Sequence, residues 1–108
     1  MRLKNKISVI TGAGRGIGRS ISMAFADEGS KLVLVARSRE QLESVAQEIG
    51  NNGGKALPVT CDVSSAQEVQ DLARVVQDEF GRVDILVNNA GISTVSYTHL
   101  TLPTTPYV

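Results

Sequence analysis

The sequence predicts a doubly wound parallel α/β sheet, of which this chain spans the first four strands. Four short apolar runs alternate with three segments that have the periodicity of amphipathic helices. A glycine-rich loop follows the first run and opens directly into the first helical segment. The 108 residues leave room for one mononucleotide-binding half and one further strand. Right-handed crossovers then give the truncated strand order 3-2-1-4.

The first strand and helix flank the glycine-rich loop. The strand is predicted over Ile7–Thr11, and the helix over about residues 15–28, with Gly29 where a left-handed C-terminal cap belongs. Helical spacing assigns four apolar residues to one buried face: Ile17, Ile21, Ala24 and Phe25.

Two further strand and helix units follow. Residues 32–36 form an unbroken apolar run, which is typical of a parallel strand covered on both faces, and residues 56–61 form the third strand. Ser38 and Ser65 each begin a capping-box pattern, so each is predicted to cap a helix. The predicted buried positions are Leu42, Val45, Ala46 and Ile49 in the second helix, and Val69, Leu72, Ala73, Val76 and Phe80 in the third. The last helix ends at Gly81, and residues 83–87 are the fourth strand.

The glycine-rich loop has the composition of an anion-binding site. Glycines at 12, 16 and 18 allow tight turns and close backbone approach, and a helix that begins near Gly16 directs free N–H groups at the anion. The expected ligand is a dinucleotide pyrophosphate, and the alternative is a turn without a ligand. Neither G-x-G-x-x-G nor a P-loop fits the spacing.

The pattern that does fit, Thr-Gly-x-x-x-Gly-x-Gly, resembles the core type of the short-chain dehydrogenase/reductase family. The resemblance covers residues 1 to about 92 and implies a Rossmann-type fold. It implies pyrophosphate-side coenzyme contacts from one continuous segment: Thr11, Gly12, Gly14, Arg15, Gly16, Ile17 and Gly18.

The end of the second strand indicates which coenzyme binds. An NAD-specific site would place an acidic residue about 20 residues beyond the glycines. This chain has Arg37 there, and Arg15 lies in the loop, so two guanidinium groups are available to a 2′-phosphate. We therefore predict NADP(H), and the resemblance implies the same. Solvated loop charges without a ligand are the alternative.

Two more motifs follow strands three and four. Asp62 and Val63 match the pair that contacts adenine in the family, although Asp62 could instead cap the next helix. The segment Asn88-Asn89-Ala90-Gly91 matches a second family signature, which implies that Asn89, Ala90 and Gly91 lie near the coenzyme ribose. An ordinary Asn-Gly-type turn is the alternative for that segment.

Composition excludes several functions. Eleven basic and eleven acidic residues give zero net charge, which predicts neither a nucleic-acid nor a membrane-surface partner. No apolar run has membrane-spanning length, and a cytoplasmic location is expected. Cys61 is the only cysteine, so it is expected to be a buried thiol without a disulfide or a zinc site.

Residues 93–108 differ in composition from the rest of the chain. They contain five Thr, two Pro and no charged residue, and they resemble translated adaptor sequence, so we predict a non-native or disordered tail. An unusual natural extension is the alternative. The family's catalytic Tyr-x-x-x-Lys cannot be placed, because Tyr97 is followed four residues later by Thr101. We predict no catalytic residue in this chain and no metal site.

The function expected of the parent protein is transfer of hydride between NADPH and a carbonyl or alcohol carbon. The resemblance is greatest to bacterial 3-oxoacyl-acyl-carrier-protein reductases, which implies a small-molecule or acyl-thioester substrate and a homo-oligomer. The chain alone is expected to bind NADP(H) weakly and to be inactive. The competing hypothesis is an NADP(H)-binding sensor or scaffold without catalysis.

Overall fold

The computed structural model describes residues 2–90 as a four-stranded parallel sheet with helices on both faces. The strands are β1 (Ile7–Thr11), β2 (Lys31–Ala36), β3 (Lys55–Thr60) and β4 (Ile85–Val87), and the helices are α1 (Gly16–Asp27), α2 (Arg39–Asn51) and α3 (Ala66–Phe80). The strand order β3-β2-β1-β4 confirms the predicted topology. The predicted tail, residues 93–108, lies outside the described residues.

Side chains along each strand point alternately to the two faces of the sheet, and the hydrophobic core accordingly forms two clusters, one on each face. Val33 and Val35 of β2 pack with α3 on one face of the sheet. Leu32 and Leu34 pack with α2 and the half-buried side chains of α1 on the other face. Since consecutive strand residues point to opposite faces, β2 is buried on both sides, as its unbroken apolar sequence predicts.

The predicted helix caps are present. The hydroxyl oxygens of Ser38 and Ser65 accept the N–H groups of Gln41 and Glu68, each at 3.3 Å. Gly81 ends α3 with φ at 74°, a left-handed conformation that glycine adopts without a steric penalty. These caps fix where α2 and α3 begin, and therefore where the loops at the strand ends lie.

The predicted buried face of α1 is wrong at two positions. Ile17 is 72% exposed, and Ala24 is exposed as well. The helix instead buries Gly18 and Ser22, because it approaches β1 so closely that a Cβ at Gly18 would lie 1.9 Å from the carbonyl oxygen of Gly12. Only small residues fit that contact. Hydrophobic periodicity was therefore right for Ile21 and Phe25, which pack against the core, and wrong for Ile17 and Ala24.

The fourth strand is shorter than predicted. It begins at Ile85, because Asp84 forms a different contact with β1. The main-chain N–H of Asp84 donates to the Ile7 carbonyl at 2.8 Å, and the Asp84 carboxylate accepts the Ile7 N–H at 2.7 Å. The third strand is displaced by one residue, ending at Thr60, with Cys61 just beyond it.

Candidate functional site

A cleft of about 840 Å³ lies at the carboxyl ends of the strands. It is bounded by the glycine loop after β1 and by the segments that follow β2, β3 and β4. The lining residues are Gly12, Gly14, Arg15, Val35, Ala36, Arg37, Ser38, Gln41, Cys61, Asp62, Val63, Ser64 and Ala90. In an open parallel sheet this edge is where ligands bind.

The glycine loop leaves its backbone open toward the cleft. Gly12 and Gly16 have φ values of 63° and 58°, which favour glycine. Arg15 is the N-cap of α1 in extended conformation and makes no side-chain hydrogen bond to the first turn. The first N–H groups of α1 have no intrahelical partner, so they are available to an anion. The loop therefore has the features of an anion-binding helix N-terminus.

Thr11 and Asn89 connect the glycine loop to the segment after β4. The fully buried hydroxyl of Thr11 accepts the Ala90 N–H at 3.0 Å and donates to the Val87 carbonyl at 3.3 Å. The Asn89 side-chain amide donates to the Gly12 carbonyl at 3.2 Å. A Cβ at Gly12 would lie 2.7 Å from that amide nitrogen, so the two loops meet closely. Of these residues, Gly12 and Ala90 line the cleft.

Two arginines line the same cleft. Arg15 extends from the glycine loop and Arg37 from the end of β2, and both are exposed. The residue before Arg37 is Ala36, so no carboxylate ends β2. A phosphate in this part of the cleft could contact guanidinium groups from both segments.

Asp62 is held in a turn that keeps its carboxylate ionised. Its Oδ1 accepts both the hydroxyl of Ser64, at 2.6 Å, and the Ser64 N–H, at 2.9 Å. These hydrogen bonds, with the positive charge of Arg37, lower the pKa of Asp62 below its usual value. The N-cap of α3 is Ser65, so Asp62 does not cap the helix. Asp62 instead lines the cleft, as its sequence neighbour Val63 does.

Cys61 is a cleft residue that the sequence did not indicate. It is buried as predicted, with 2% of its surface exposed, and it lines the cleft from the end of β3. Burial, followed by the charges of Glu68, Asp62 and Asp71, raises the pKa of Cys61 to about 11. The thiol is therefore neutral at physiological pH and acts as an apolar wall.

The structure brings together seven of the thirteen predicted coenzyme contacts as cleft-lining residues: Gly12, Gly14, Arg15, Arg37, Asp62, Val63 and Ala90. Four other predicted contacts do not line the cleft: Thr11, Gly16, Gly18 and Asn89. Of these, Thr11 and Asn89 form hydrogen bonds to the lining residues Ala90 and Gly12. The Ile17 side chain is largely exposed and does not line the cleft either. Gly91 lies outside the described residues.

The lining residues that the prediction missed follow the same strand ends, with one exception. Val35, Ala36, Ser38 and Ser64 are sequence neighbours of predicted contacts, so a rule covering each whole strand end would have found them. Gln41 reaches the cleft from the first turn of α2, and no motif indicated it. Within residues 2–90, no group of three potential metal ligands occurs, and no helix is long and apolar enough to span a membrane.

Comparison with known proteins identifies the family. Residues 6–105 match the family model described as short chain dehydrogenase. The chain belongs to the short-chain dehydrogenase/reductase family. Its similarity to individual members extends over most of this chain but over half or less of theirs.

Three members illustrate the similarity. An uncharacterised oxidoreductase of Staphylococcus aureus is 42% identical over 89 residues, which cover 82% of this chain and 38% of that protein. D-threitol dehydrogenase of Mycolicibacterium smegmatis is 40% identical over 95 residues, which cover 88% of this chain and 36% of that protein. The crystal structure of L-sorbose reductase from Gluconobacter frateurii, complexed with NADPH and L-sorbose, matches with a TM-score of 0.84 at 32% identity. The match covers 93% of this chain and 47% of that chain.

Proposed function

We propose that this short-chain dehydrogenase/reductase chain provides the adenosine and pyrophosphate side of an NADP(H) site in an oxidoreductase. The observation that carries the proposal is that Arg15 and Arg37 line one cleft together with Gly12 and Gly14. A dinucleotide with a 2′-phosphate has two negatively charged groups. Its pyrophosphate suits the N–H donors of the glycine loop, and its 2′-phosphate suits the two guanidinium groups.

Each part of the coenzyme has a candidate partner. The glycine loop and the N-terminus of α1 would hold the pyrophosphate, and Arg15 and Arg37 the 2′-phosphate. Asp62 and Val63 would contact the adenine, and Asn89, Ala90 and Gly91 would lie by the ribose. When bound, the coenzyme supplies hydride exchange with a carbonyl or alcohol carbon.

The substrate proposal is less specific. The chain spans half or less of the length of the relatives that it matches, so substrate binding and proton transfer are assigned to residues outside this stretch. The family and the L-sorbose reductase complex support a small carbonyl or hydroxyl compound. We retain an acyl thioester, as in 3-oxoacyl-acyl-carrier-protein reductases, as the finer proposal, together with a homo-oligomeric parent in the cytoplasm.

Exchanging Arg37 for Asp tests the coenzyme assignment. In the full-length protein, Arg37→Asp should weaken NADPH binding at least about tenfold, because a guanidinium is replaced by a charge that repels phosphate. NADH should bind more tightly, since a carboxylate can accept its ribose 2′-hydroxyl. Fluorescence titration with both coenzymes measures the change.

Arg74→Asp is the matched control, since Arg74 is exposed on α3 and does not line the cleft. It should leave both affinities unchanged. An NADPH to NADH preference that is the same in Arg37→Asp and the parent protein would contradict the assignment.

A sensor or scaffold without catalysis is the second candidate. A Ser and a Tyr-x-x-x-Lys pair in the rest of the full-length protein would make it an enzyme, and their absence there would favour the sensor or scaffold. Reduction of a carbonyl substrate by the full-length protein with NADPH would exclude this candidate. Turnover by the 108-residue chain alone would contradict our expectation that the chain is inactive.

A further inference from the structure

Gln41 extends from α2 to the glycine loop. A Cβ at Gly14 would lie 2.9 Å from Oε1 of Gln41 and 3.0 Å from its Cβ, so this side chain packs directly on the bare Cα of Gly14. The Gln41 N–H donates to the hydroxyl of Ser38, the N-cap, which fixes the first turn of α2. Gln41 is therefore held beside the cleft by both its backbone and its side chain.

The amide group of Gln41 has donors that the protein leaves unused. Across residues 2–90, its side chain makes no hydrogen bond to another residue. A primary amide carries two N–H donors, and this one belongs to a residue that lines the same cleft as Arg15 and Arg37. Asp62, the acidic member of the lining, has Oδ1 engaged by Ser64. Gln41 therefore adds unused donors to a cleft lining that already contains two guanidinium groups.

We propose that Gln41 is a specificity-determining residue, whose amide is a third donor for the 2′-phosphate beside the two guanidinium groups. This inference rests on the proposed NADP(H) function. A neutral amide at position 41 adds a donor without adding negative charge. A carboxylate of the same shape would repel the phosphate and would accept a hydrogen bond from the free 2′-hydroxyl of NADH. The residue at position 41 thus helps to choose between the coenzymes.

Gln41→Glu tests the proposal, because the two side chains have nearly the same shape and the contact with Gly14 is kept. In the full-length protein, fluorescence titration should show that NADPH binds about tenfold more weakly and that NADH binds equally well or more tightly. Gln47→Glu is the matched control, since it makes the same change at an exposed position of α2 outside the cleft. It should alter neither affinity.

Gln41→Met separates hydrogen bonding from packing, and it serves if the glutamate variant does not fold. It fills the space beside Gly14 without a strong donor, so NADPH should bind about threefold more weakly, with NADH unchanged. Equal weakening of both coenzymes in Gln41→Glu would show that the added charge acts on the pyrophosphate that they share, and it would overturn the proposal. Unchanged NADPH binding in either variant would overturn it too.

The same titrations distinguish failure of this inference from failure of the proposed function. If Arg37→Asp changes the coenzyme preference and Gln41→Glu does not, only the role of Gln41 is overturned. If the unmodified full-length protein binds no NADPH, or binds NADH as tightly, the proposed function fails and the role of Gln41 fails with it.

Discussion

Individual glycines determine how closely α1 approaches the sheet. Gly18 is buried against the carbonyl group of Gly12, and that carbonyl also accepts the Asn89 amide. Two backbone segments and the Asn89 side chain therefore meet at a point where no side chain at position 18 would fit. This contact places the N-terminus of α1 beside the cleft, so the absence of a single Cβ affects the geometry of the candidate site.

Gly18→Ala should be strongly destabilising for that reason. The added methyl group would lie 1.9 Å from a backbone oxygen, which cannot move as a flexible side chain can. We expect a loss of about 3 kcal/mol in the free energy of unfolding, measured by denaturant titration of the full-length protein.

Gly50→Ala is the control for Gly18→Ala. Gly50 lies in α2, and nothing lies within 4 Å of its added Cβ. Alanine has the higher helix propensity, so this variant should gain about 0.5 kcal/mol. Similar effects of the two substitutions would show that helix propensity, rather than the contact with Gly12, determines the result.

The three helices differ in how their N-terminal N–H groups are capped. Each of α2 and α3 begins with a serine that accepts an N–H from the first turn and has a glutamate in that turn. By contrast, α1 begins at Arg15 without a side-chain cap and has no acidic residue in its first turn. The N-terminus left uncapped is the one beside the glycine loop, where the proposed pyrophosphate would supply the missing acceptor.

Ser65→Ala should cost about 1 kcal/mol of unfolding free energy, because it removes the acceptor for the Glu68 N–H at the start of α3. Ser44→Ala changes an exposed serine inside α2, where alanine is the better helix former, and should be neutral or slightly stabilising. Thermal and denaturant unfolding of the full-length protein measure both effects. Equal behaviour of the two variants would contradict the capping role.

Hydrogen bonds between distant parts of the chain connect the two ends of the described fold. Asp84 binds Ile7, 77 positions away, and also accepts the Nε–H of Arg82 at 2.9 Å. Arg82 in turn donates to the carbonyl of Asn5 at 2.6 Å. Together these contacts fasten the start of β4 to the start of β1.

The charge on Asp84 should make stability depend on pH. Burial opposes ionisation, but the hydrogen bonds from Ile7 and Arg82 and the nearby positive charges outweigh it, so the pKa of Asp84 lies below its ordinary 3.8. A lowered carboxyl pKa in the folded state stabilises the fold above the unfolded-state pKa. This stabilisation is lost as the pH falls below about 4 toward the folded-state pKa.

Asp84→Asn should therefore cost about 1–2 kcal/mol at pH 7 and much less at pH 3, as measured by unfolding at both pH values. Asp78→Asn is the control, because Asp78 is exposed on α3. It should have little effect at either pH. A penalty for Asp84→Asn that is the same at pH 3 and pH 7 would exclude a role for the charge.

The sequence by itself determined the strand order, the caps of α2 and α3, and the segments that meet at the cleft. These features follow from local patterns: the apolar run of β2, the serines before α2 and α3, and the glycines after β1. Parallel strands bring their carboxyl ends to one edge, so residues after each strand, such as Arg37 and Asp62, could be expected near the glycine loop.

Only the tertiary structure decided which face of α1 is buried, where β4 begins and which residue of α2 reaches the cleft. Periodicity favoured Ile17, yet close packing selects small residues, and the chain buries Gly18 instead. The start of β4 depends on a hydrogen bond to Ile7, and the place of Gln41 depends on the space above Gly14. The last two outcomes arise from contacts between residues far apart in the chain, and the first arises from how closely α1 packs on the glycine loop. Local sequence patterns encode neither.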